Sequence, residues 1–276
     1  MTVFSMQNQE VSVSITEHAS EITSFKDRST GFEYMWQGDP AFWSGRNPTL
    51  FPMVGSTWNK EIVIHDHVYT MGNHGFARHS DFTCTEHSDS RIVMTLKDNE
   101  ETLKQYPFHF TMHIAYELAG RKLRISYTIA NDNDESMPFN FGLHPAFSCP
   151  IDPEKRFSDY HLEYSEPETF KSGVLEMNNE KIIPLNRDLL QKTIIEENPV
   201  SKHVSLTDGS HSVTVGIEGY RWLAFWTKPD APFICIEPWH SHGDTEKTEV
   251  PFEQREGTIV LNAHDIYTTV YSIEIR

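Results

Sequence analysis

The chain has 276 residues, of which 40 are acidic and 23 are basic, so its formal net charge is −17. This charge, together with the absence of any basic run of five or more residues, argues against nucleic acid and anionic membranes as partners. The start of the sequence lacks a basic n-region followed by an apolar stretch, and no apolar run approaches the roughly 20 residues that span a bilayer. These features predict a cytoplasmic protein.

The three cysteines, Cys84, Cys149 and Cys235, are far apart and show no C-x-x-C spacing. The sequence therefore supports neither a disulfide framework nor a cysteine zinc site, and a reduced protein is expected.

Alternation of apolar and polar residues with a period of two dominates the chain, which predicts β-strands. Two pairs of strands are separated by glycine-containing turns, one at Ala119 and Gly120 and one at Asp208 and Gly209, and each pair is expected to form an antiparallel hairpin. The alternating apolar positions lie at Val11–Ile15, Ile92–Leu96, Phe110–Leu118, Leu123–Ile129, Val204–Leu206, Val213–Ile217 and Tyr267–Ile275.

Helical periodicity is scarce, and only Glu100–Gln105 and Asp188–Glu196 are expected to form a turn or two of helix. Strands that follow one another through short turns predict an antiparallel all-β fold with few short helices, and the length is normal for a large sandwich or barrel. No linker or repeat divides the chain, so residues 1–276 are expected to form one domain. The less regular, charged segment Ser148–Asn198 is expected to cross the surface as an excursion.

The stretch Pro232–His240, PFICIEPWH, combines an apolar run with a carboxylate. Burial of an acid at the end of an apolar strand is costly unless the acid is hydrogen-bonded or used in function. Because proline lacks a backbone donor, Pro238 is expected to stop the strand after Glu237. Trp239 adds a flat apolar face, and a carboxylate beside an indole suits a sugar.

Three other loops place one or two polar side chains among glycine, proline and aromatic residues. In Ser44–Gly55, Arg46 is flanked by residues that are typical of turns. It is either a binding residue or an ordinary surface arginine. In Asn73–Arg78, His74 and Arg78 flank Phe76 and are candidate functional residues. The alternative is that His74 is an ordinary loop histidine and that Arg78 pairs with an acid such as Asp81.

The last of these loops, Phe139–Phe147, holds His144 inside an aromatic frame. A histidine in such surroundings is either a catalyst or a hydrogen-bonded core residue.

Two H-x-H pairs, His65 with His67 and His240 with His242, would each share one face of a strand and suit a metal. No convincing third ligand accompanies either pair. We therefore expect no metal and no cofactor.

Glu237, His144 and His74 together have the side chains that paired general acid–base catalysis needs. A carboxylate takes a proton from the anomeric hydroxyl of a cyclic sugar while a histidine delivers one to the ring oxygen. The ring opens, rotates about C1–C2 and closes with the anomeric centre inverted. The expected substrate is a small-molecule sugar.

The chain resembles the aldose 1-epimerases, the galactose mutarotase-like superfamily, and is most similar to the branch that contains the LacX-type proteins. The resemblance rests on four stretches in the same order: GRNPTLFPMVG, HGFAR, FGLHPAF and CIEPW. It implies a supersandwich of antiparallel strands with an open cleft on one face.

The resemblance also implies roles for individual residues. Glu237 matches the general base, His144 the general acid, and His74 the second histidine, which positions the sugar near its ring oxygen. Arg46 resembles the substrate-binding arginine of the early loop. Arg78 fits the HGFAR pattern of the related hexose-6-phosphate mutarotases.

Several alternatives stay open at this level. The family's sugar-binding aspartate has no matching motif here, and the substrate is either a free hexose or, less favoured, a hexose 6-phosphate. A non-catalytic carbohydrate-binding protein on the same scaffold is a further alternative. Because the sequence does not reveal the oligomeric state, a homodimer is also open.

Overall fold

The computed structural model describes residues 2–276, and this part of the chain is built almost entirely of β-strands. The strands are β1 (Val3–Gln7), β2 (Val11–Thr16), β3 (Ile22–Asp27), β4 (Thr49–Leu50), β5 (Glu61–Ile64), β6 (His67–Thr70), β7 (Thr83–His87), β8 (Arg91–Lys97), β9 (Phe110–Ala119), β10 (Lys122–Asn131), β11 (Met137–Phe139), β12 (Gly142–Leu143), β13 (Ala146–Ser148), β14 (His161–Ser172), β15 (Leu175–Pro184), β16 (Ile194–Glu197), β17 (His203–Thr207), β18 (Ser212–Gly216), β19 (Trp222–Trp226), β20 (Phe233–Trp239), β21 (Ile259–Leu261) and β22 (Ile266–Ile275).

Helical structure between residues 2 and 276 is limited to short segments. One α-helix, α1, spans Glu100–Leu103, and 3₁₀ turns span Ala77–His79, Phe157–Asp159, Leu189–Gln191 and Phe252–Gln254. None of these segments has the length and apolarity that a membrane-crossing helix requires.

Two large antiparallel sheets form the sandwich. The first has nine strands in the order β15-β14-β17-β18-β22-β10-β9-β8-β7, and the second has six strands, β16-β19-β20-β12-β4 with β13 paired to β20. Smaller sheets are formed by β1-β2-β3, by β5-β6 and by β11-β21.

The main core lies between the two large sheets. Along β9 every second residue is buried, as period-2 alternation requires when one face of a strand packs against a second sheet. One hydrophobic cluster contains inward residues of both sheets, such as Ile114 and Ile273 from the first and Ile234 and Ile236 from the second. The predicted antiparallel β-sandwich is confirmed.

Both predicted hairpins are confirmed. Strands β9 and β10 pair from Ala119 opposite Lys122 onwards, and Gly120, at the turn, has a φ of +56° that favours glycine. Strands β17 and β18 pair up to Thr207 opposite Ser212.

Two expectations about the middle of the chain were wrong. Ser148–Asn198 is not an excursion, because β14 and β15 extend the nine-stranded sheet and bury residues such as Leu162 and Ile183. Only Leu189–Gln191 of the expected helix Asp188–Glu196 is helical, as a 3₁₀ turn, and its last residues belong to β16. In both places pairing with neighbouring strands outweighs a weak local pattern.

Strand β20 continues through Pro238 to Trp239, contrary to the expectation that proline would end it. The backbone N–H of Ile236 donates to Pro145 O, and the backbone N–H of His240 donates to Phe141 O. Midway between these two hydrogen bonds, Pro238 faces the carbonyl of Leu143. The indole Nε1 of Trp239 donates to Leu143 O at 3.2 Å. The side chain thus supplies the donor that the proline backbone lacks.

Candidate active site

Strand β20 turns Glu237 away from the main core. Because side chains alternate along a strand, Ile234 and Ile236 enter the core between the sheets while Cys235 and Glu237 occupy the opposite face. Ala224 of β19 lies directly opposite Glu237, so a methyl group is the carboxylate's cross-strand neighbour. The small side chain of Ala224 therefore leaves space beside the carboxylate of Glu237.

The strand register places His144 opposite this carboxylate. Gly142 pairs with Trp239 and Ala146 pairs with Cys235, so the register is the same on both sides of the gap and sets His144 directly across from Glu237. There, His144 Nε2 lies 3.3 Å from Glu237 Oε2.

His74 completes the group from a separate loop. Its ring lies perpendicular to the ring of His144, with centroids 5.6 Å apart. The backbone N–H of Gly55 donates to His74 Nδ1 at 3.0 Å, and the backbone N–H of His74 donates to Gly55 O at 2.7 Å. Since Nδ1 accepts, the neutral ring carries its proton on Nε2.

The position of His74 depends on the glycine that follows it. Gly75 has a φ of +68°, and a Cβ atom at this position would lie 2.2 Å from Phe51 O. The backbone N–H groups of Phe76 and Ala77 both donate to the same carbonyl. The loops that carry Arg46 and His74 are thus joined directly, and only glycine permits this contact.

The two candidate arginines have different surroundings. Arg78 is half-buried on the turn Ala77–His79, where burial lowers the pKa of its guanidinium while the charges of Glu21 and Glu237 raise it. The backbone N–H of Arg46 donates to Glu21 Oε1 at 2.7 Å, and Arg46 Nε is buried without a hydrogen-bond partner. Its guanidinium lies against Gly38, where a Cβ atom would lie 2.8 Å from Cζ.

Trp239 packs beside the site in an apolar cluster. It is 8% exposed and belongs to a cluster with Leu50, Val54, Trp222 and Ala224. A Cβ atom at Gly142 would lie 2.8 Å from its ring. With its Nε1 bonded to Leu143 O, the indole has a fixed place at the edge of the site.

Burial shifts the pKa values of all three candidate catalytic groups toward their neutral forms. It raises the pKa of Glu237 well above the ordinary value, which the indole N–H of Trp239 and the positive charge of Arg78 partly offset. It lowers the pKa of His144 well below the ordinary value, and His74 and Arg78 add to this effect. Burial and Arg78 together lower the pKa of His74 to about 4.

The site is covered, in contrast to the open cleft that the resemblance implies. Glu237 is 1% exposed and His144 is 7% exposed. Two aromatic side chains that the sequence reasoning did not single out, Trp43 and Trp226, pack against His144 with ring centroids 4.7 Å and 5.6 Å away.

A signal for Trp226 was present in the sequence. The segment TKPDAP separates the apolar runs WLAFW and FICIEPW, which is typical of a hairpin, and pairing the two runs places Trp226 opposite Cys235. Trp43 has no comparable local signal, because its contact with His144 joins parts of the chain that are distant in sequence.

A large open groove of about 920 Å³ lies elsewhere, on the outer face of the nine-stranded sheet. Exposed polar residues such as Lys122, Arg124, Glu163 and Glu274 line it. None of the six candidate residues is among its lining residues.

Within residues 2–276, one group has the residue types and spacing of a metal site: ligand atoms of His144, Cys235 and Glu237 lie within 4.8 Å of one another. Two features oppose a cation there. Burial, with the charge of Glu237, raises the pKa of the Cys235 thiol well above its ordinary value, and Arg78 brings a positive charge close to Glu237. The neutral thiol is a poor ligand, since metals bind the thiolate.

The sandwich is the architecture of galactose mutarotase-like proteins. A galactose mutarotase related enzyme from Lactobacillus acidophilus superposes with a TM-score of 0.92 at 30% identity, over 100% of this chain and 97% of that one. A galactose mutarotase-like protein from Lactobacillus casei ATCC 334 gives a TM-score of 0.91 at 29% identity, over 100% of both chains.

The sequence comparisons point the same way. The sequence model of the family described as Aldose 1-epimerase matches residues 2–273. The chromosomal protein LacX of Lactococcus lactis subsp. lactis is 31% identical over 258 residues, 85% of this chain and 86% of that protein. The chain belongs to the aldose 1-epimerase family.

Proposed function

We propose that the protein is an aldose 1-epimerase that interconverts the α and β anomers of a free hexose. The observation that carries this proposal is the contact of 3.3 Å between the imidazole of His144 and the carboxylate of Glu237, with His74 beside them. Membership of the aldose 1-epimerase family supports the same reaction.

In the proposed reaction Glu237 removes the proton from the C1 hydroxyl. The electrons of that O–H bond form the C1 carbonyl, the bond between C1 and the ring oxygen breaks, and His144 gives its proton to the ring oxygen. Rotation about C1–C2 followed by the reverse transfers yields the other anomer. Each positioned proton transfer contributes on the order of 10²–10⁴-fold in rate.

This reaction requires that His144 and Glu237 together hold one proton at every stage. Before ring opening His144 holds it, and after ring opening Glu237 holds it. In the ligand-free chain burial raises the pKa of Glu237 and lowers the pKa of His144, so it disfavours the ionised form of each group. The bound sugar must therefore favour the carboxylate, and a hydrogen bond from its C1 hydroxyl to Glu237 does so.

The remaining candidate residues bind and orient the sugar in this proposal. His74 stays neutral at physiological pH because its pKa is about 4, so its Nε2–H donates to a sugar oxygen. Arg46 Nε, which is buried and without a partner, offers a further donor. Trp239 limits the site on one side.

An unphosphorylated hexose is the favoured substrate. The negative charges of Glu21 and Glu237 act on Arg78, the candidate phosphate ligand, and would repel a phosphate placed beside it. The net charge of −17 also repels a phosphorylated sugar.

The test is exchange NMR of the anomeric signals of galactose, glucose and their 6-phosphates at one ionic strength. We expect the wild type to exchange the anomers of a free hexose faster than buffer does, and Glu237→Gln and His144→Ala to return exchange to the buffer rate. Glu154→Gln is the matched control, because Glu154 is exposed. Exchange of the phosphates alone would contradict the substrate assignment, and sugar binding without faster exchange would favour a non-catalytic binding protein.

A further inference from the structure

Trp43 covers the proposed acid. Its ring lies over that of His144 with centroids 4.7 Å apart and an interplanar angle of 32°. Trp226 stands nearly perpendicular to both rings, at 84° to Trp43 and at 84° to His144. The two indoles thus form an aromatic corner around the imidazole.

Beneath this cover, buried polar atoms lack partners. His144 Nδ1 and Glu237 Oε2 are both inaccessible and form no hydrogen bond. A buried polar group without a partner is unfavourable, and such groups at a functional site are commonly satisfied by a ligand. The hydroxyl groups of a sugar provide both donors and acceptors.

The segment that carries Trp43 is held at both ends by one residue. The backbone N–H of Trp36 donates to Ala146 O at 3.0 Å, and the backbone N–H of Ala146 donates to Arg46 O at 2.8 Å. The residues between these bonds form a loop that belongs to no strand. Its ends are fixed two residues from His144. The Trp36 indole donates to Trp43 O at 2.8 Å and holds the backbone there, so the part that can move is the Trp43 side chain.

Within this loop the ring of Trp43 lies across a glycine. A Cβ atom at Gly45 would lie 2.6 Å from the indole. The covering position therefore requires glycine at 45, and a larger residue there would push the ring aside.

We propose that Trp43 is a further substrate-binding residue that also controls access to Glu237 and His144. Its ring covers His144 in the ligand-free chain, moves away when an aldose enters, and then packs with Trp226 against the apolar C–H face of the bound sugar. This inference rests on the proposed function for the nature of the ligand.

The burial of the site makes this movement necessary. A sugar cannot contact Glu237 while that residue is 1% exposed and His144 is 7% exposed. Of the two indoles around His144, Trp43 lies on a loop, whereas Trp226 is fixed on β19. Trp43 is also only half-buried, so solvent already reaches it.

The cysteines report opening of this cover without any sugar. Cys235 is 0% exposed and shares the face of β20 that carries Glu237, and Cys149 is 0% exposed in the main core. Cys84 is half-exposed. Labelling with N-ethylmaleimide, read for each cysteine by peptide mass spectrometry, separates opening at the site from global unfolding, which exposes Cys149 as well.

Two variants open the site in different ways. Trp43→Ala removes the ring, and Gly45→Ala displaces it. We expect each to label Cys235 at least roughly tenfold faster than the wild type, with Cys149 unchanged. Gly72→Ala is the matched control, because a Cβ atom there meets nothing within 4 Å.

An unchanged labelling rate at Cys235, or a parallel rise at Cys149, would overturn the proposal. If Trp43→Ala does not fold, Gly45→Ala provides the same test.

Kinetics test the sugar contact. We expect Trp43→Ala to raise KM for the preferred hexose roughly tenfold, as the loss of one aromatic packing contact implies, and Trp43→Phe to raise it less. An unchanged KM in Trp43→Ala would overturn the sugar contact. If the proposed function itself is wrong, the wild type will turn over no sugar. The labelling of Cys235 does not depend on sugar turnover, so it still tests the cover formed by Trp43.

Discussion

Glu237 faces Ala224 directly across the ladder between β19 and β20, and no polar group of β19 reaches its carboxylate through this pairing. Glu237 Oε2 is left without a hydrogen bond. The carboxylate is therefore held in the fold at a cost to stability, as is common for groups retained for function.

Removing the ionisable group at position 237 should stabilise the fold. Because burial raises the pKa of Glu237, its ionised form is disfavoured in the folded chain. We expect Glu237→Gln to raise the free energy of unfolding at pH 8 by on the order of 1–3 kcal/mol, measured by urea denaturation. Glu154→Gln should change it by less than about 0.5 kcal/mol. A less stable Glu237→Gln would show that the carboxylate is satisfied in the fold.

Turnover should have a broad plateau around neutral pH. The pair is active with one proton, loses activity at low pH when a second proton binds, and loses it at high pH when the last proton leaves. The lowered pKa of His144 moves the loss at low pH downwards, and the raised pKa of Glu237 moves the loss at high pH upwards. The measurement is kcat/KM against pH by exchange NMR, and a sharp optimum between pH 5 and pH 6 would refute the proton count.

A second buried carboxyl group should make stability fall as the pH rises. Burial raises the pKa of Glu196 from 4.5 to about 8; the hydrogen bond from Tyr164 opposes this and the nearby Glu168 reinforces it. Between these values the unfolded chain has lost this proton and the folded chain keeps it, so the free energy of unfolding decreases with pH and levels off above about 8.

The matched variant isolates this contribution. Urea unfolding of the wild type and Glu196→Gln at several pH values gives a difference in stability that should grow in favour of the variant from pH 5 to pH 8. A difference that is constant over this interval would show that Glu196 titrates as it does in the unfolded chain.

Gly75 should be indispensable for the placement of His74. An alanine Cβ would lie 2.2 Å from Phe51 O at a φ of +68°, so the two loops must separate. We expect Gly75→Ala to lower the free energy of unfolding by about 1–3 kcal/mol and to abolish anomer exchange. Gly72→Ala, three residues earlier in open space, should retain both properties. Full activity in Gly75→Ala would remove His74 from the proposed site.

Local patterns in the sequence predict much of this fold. The alternating runs become β2, β8, β9, β10, β17, β18 and β22, because their alternating apolar residues are largely buried. The passage of β20 through Pro238 was not predictable locally, since it depends on a donor from Trp239 to the distant Leu143 O.

The candidate site likewise contains residues that the sequence predicts and residues that it does not. Short motifs identified Glu237, His144 and His74, and the fold brings these side chains together. The cover formed by Trp43 was not predictable, because it depends on how Ala146 fixes the ends of a distant loop. Burial of Glu237 likewise depends on packing that no local pattern encodes.

The most direct test of the account is the decay of optical rotation of freshly dissolved α-galactose and α-glucose with wild-type protein and with Glu237→Gln. The proposed proton transfer predicts that the wild type accelerates the decay in proportion to protein concentration and that Glu237→Gln decays at the buffer rate. Equal acceleration by both proteins, or none by the wild type with any aldose, would contradict it.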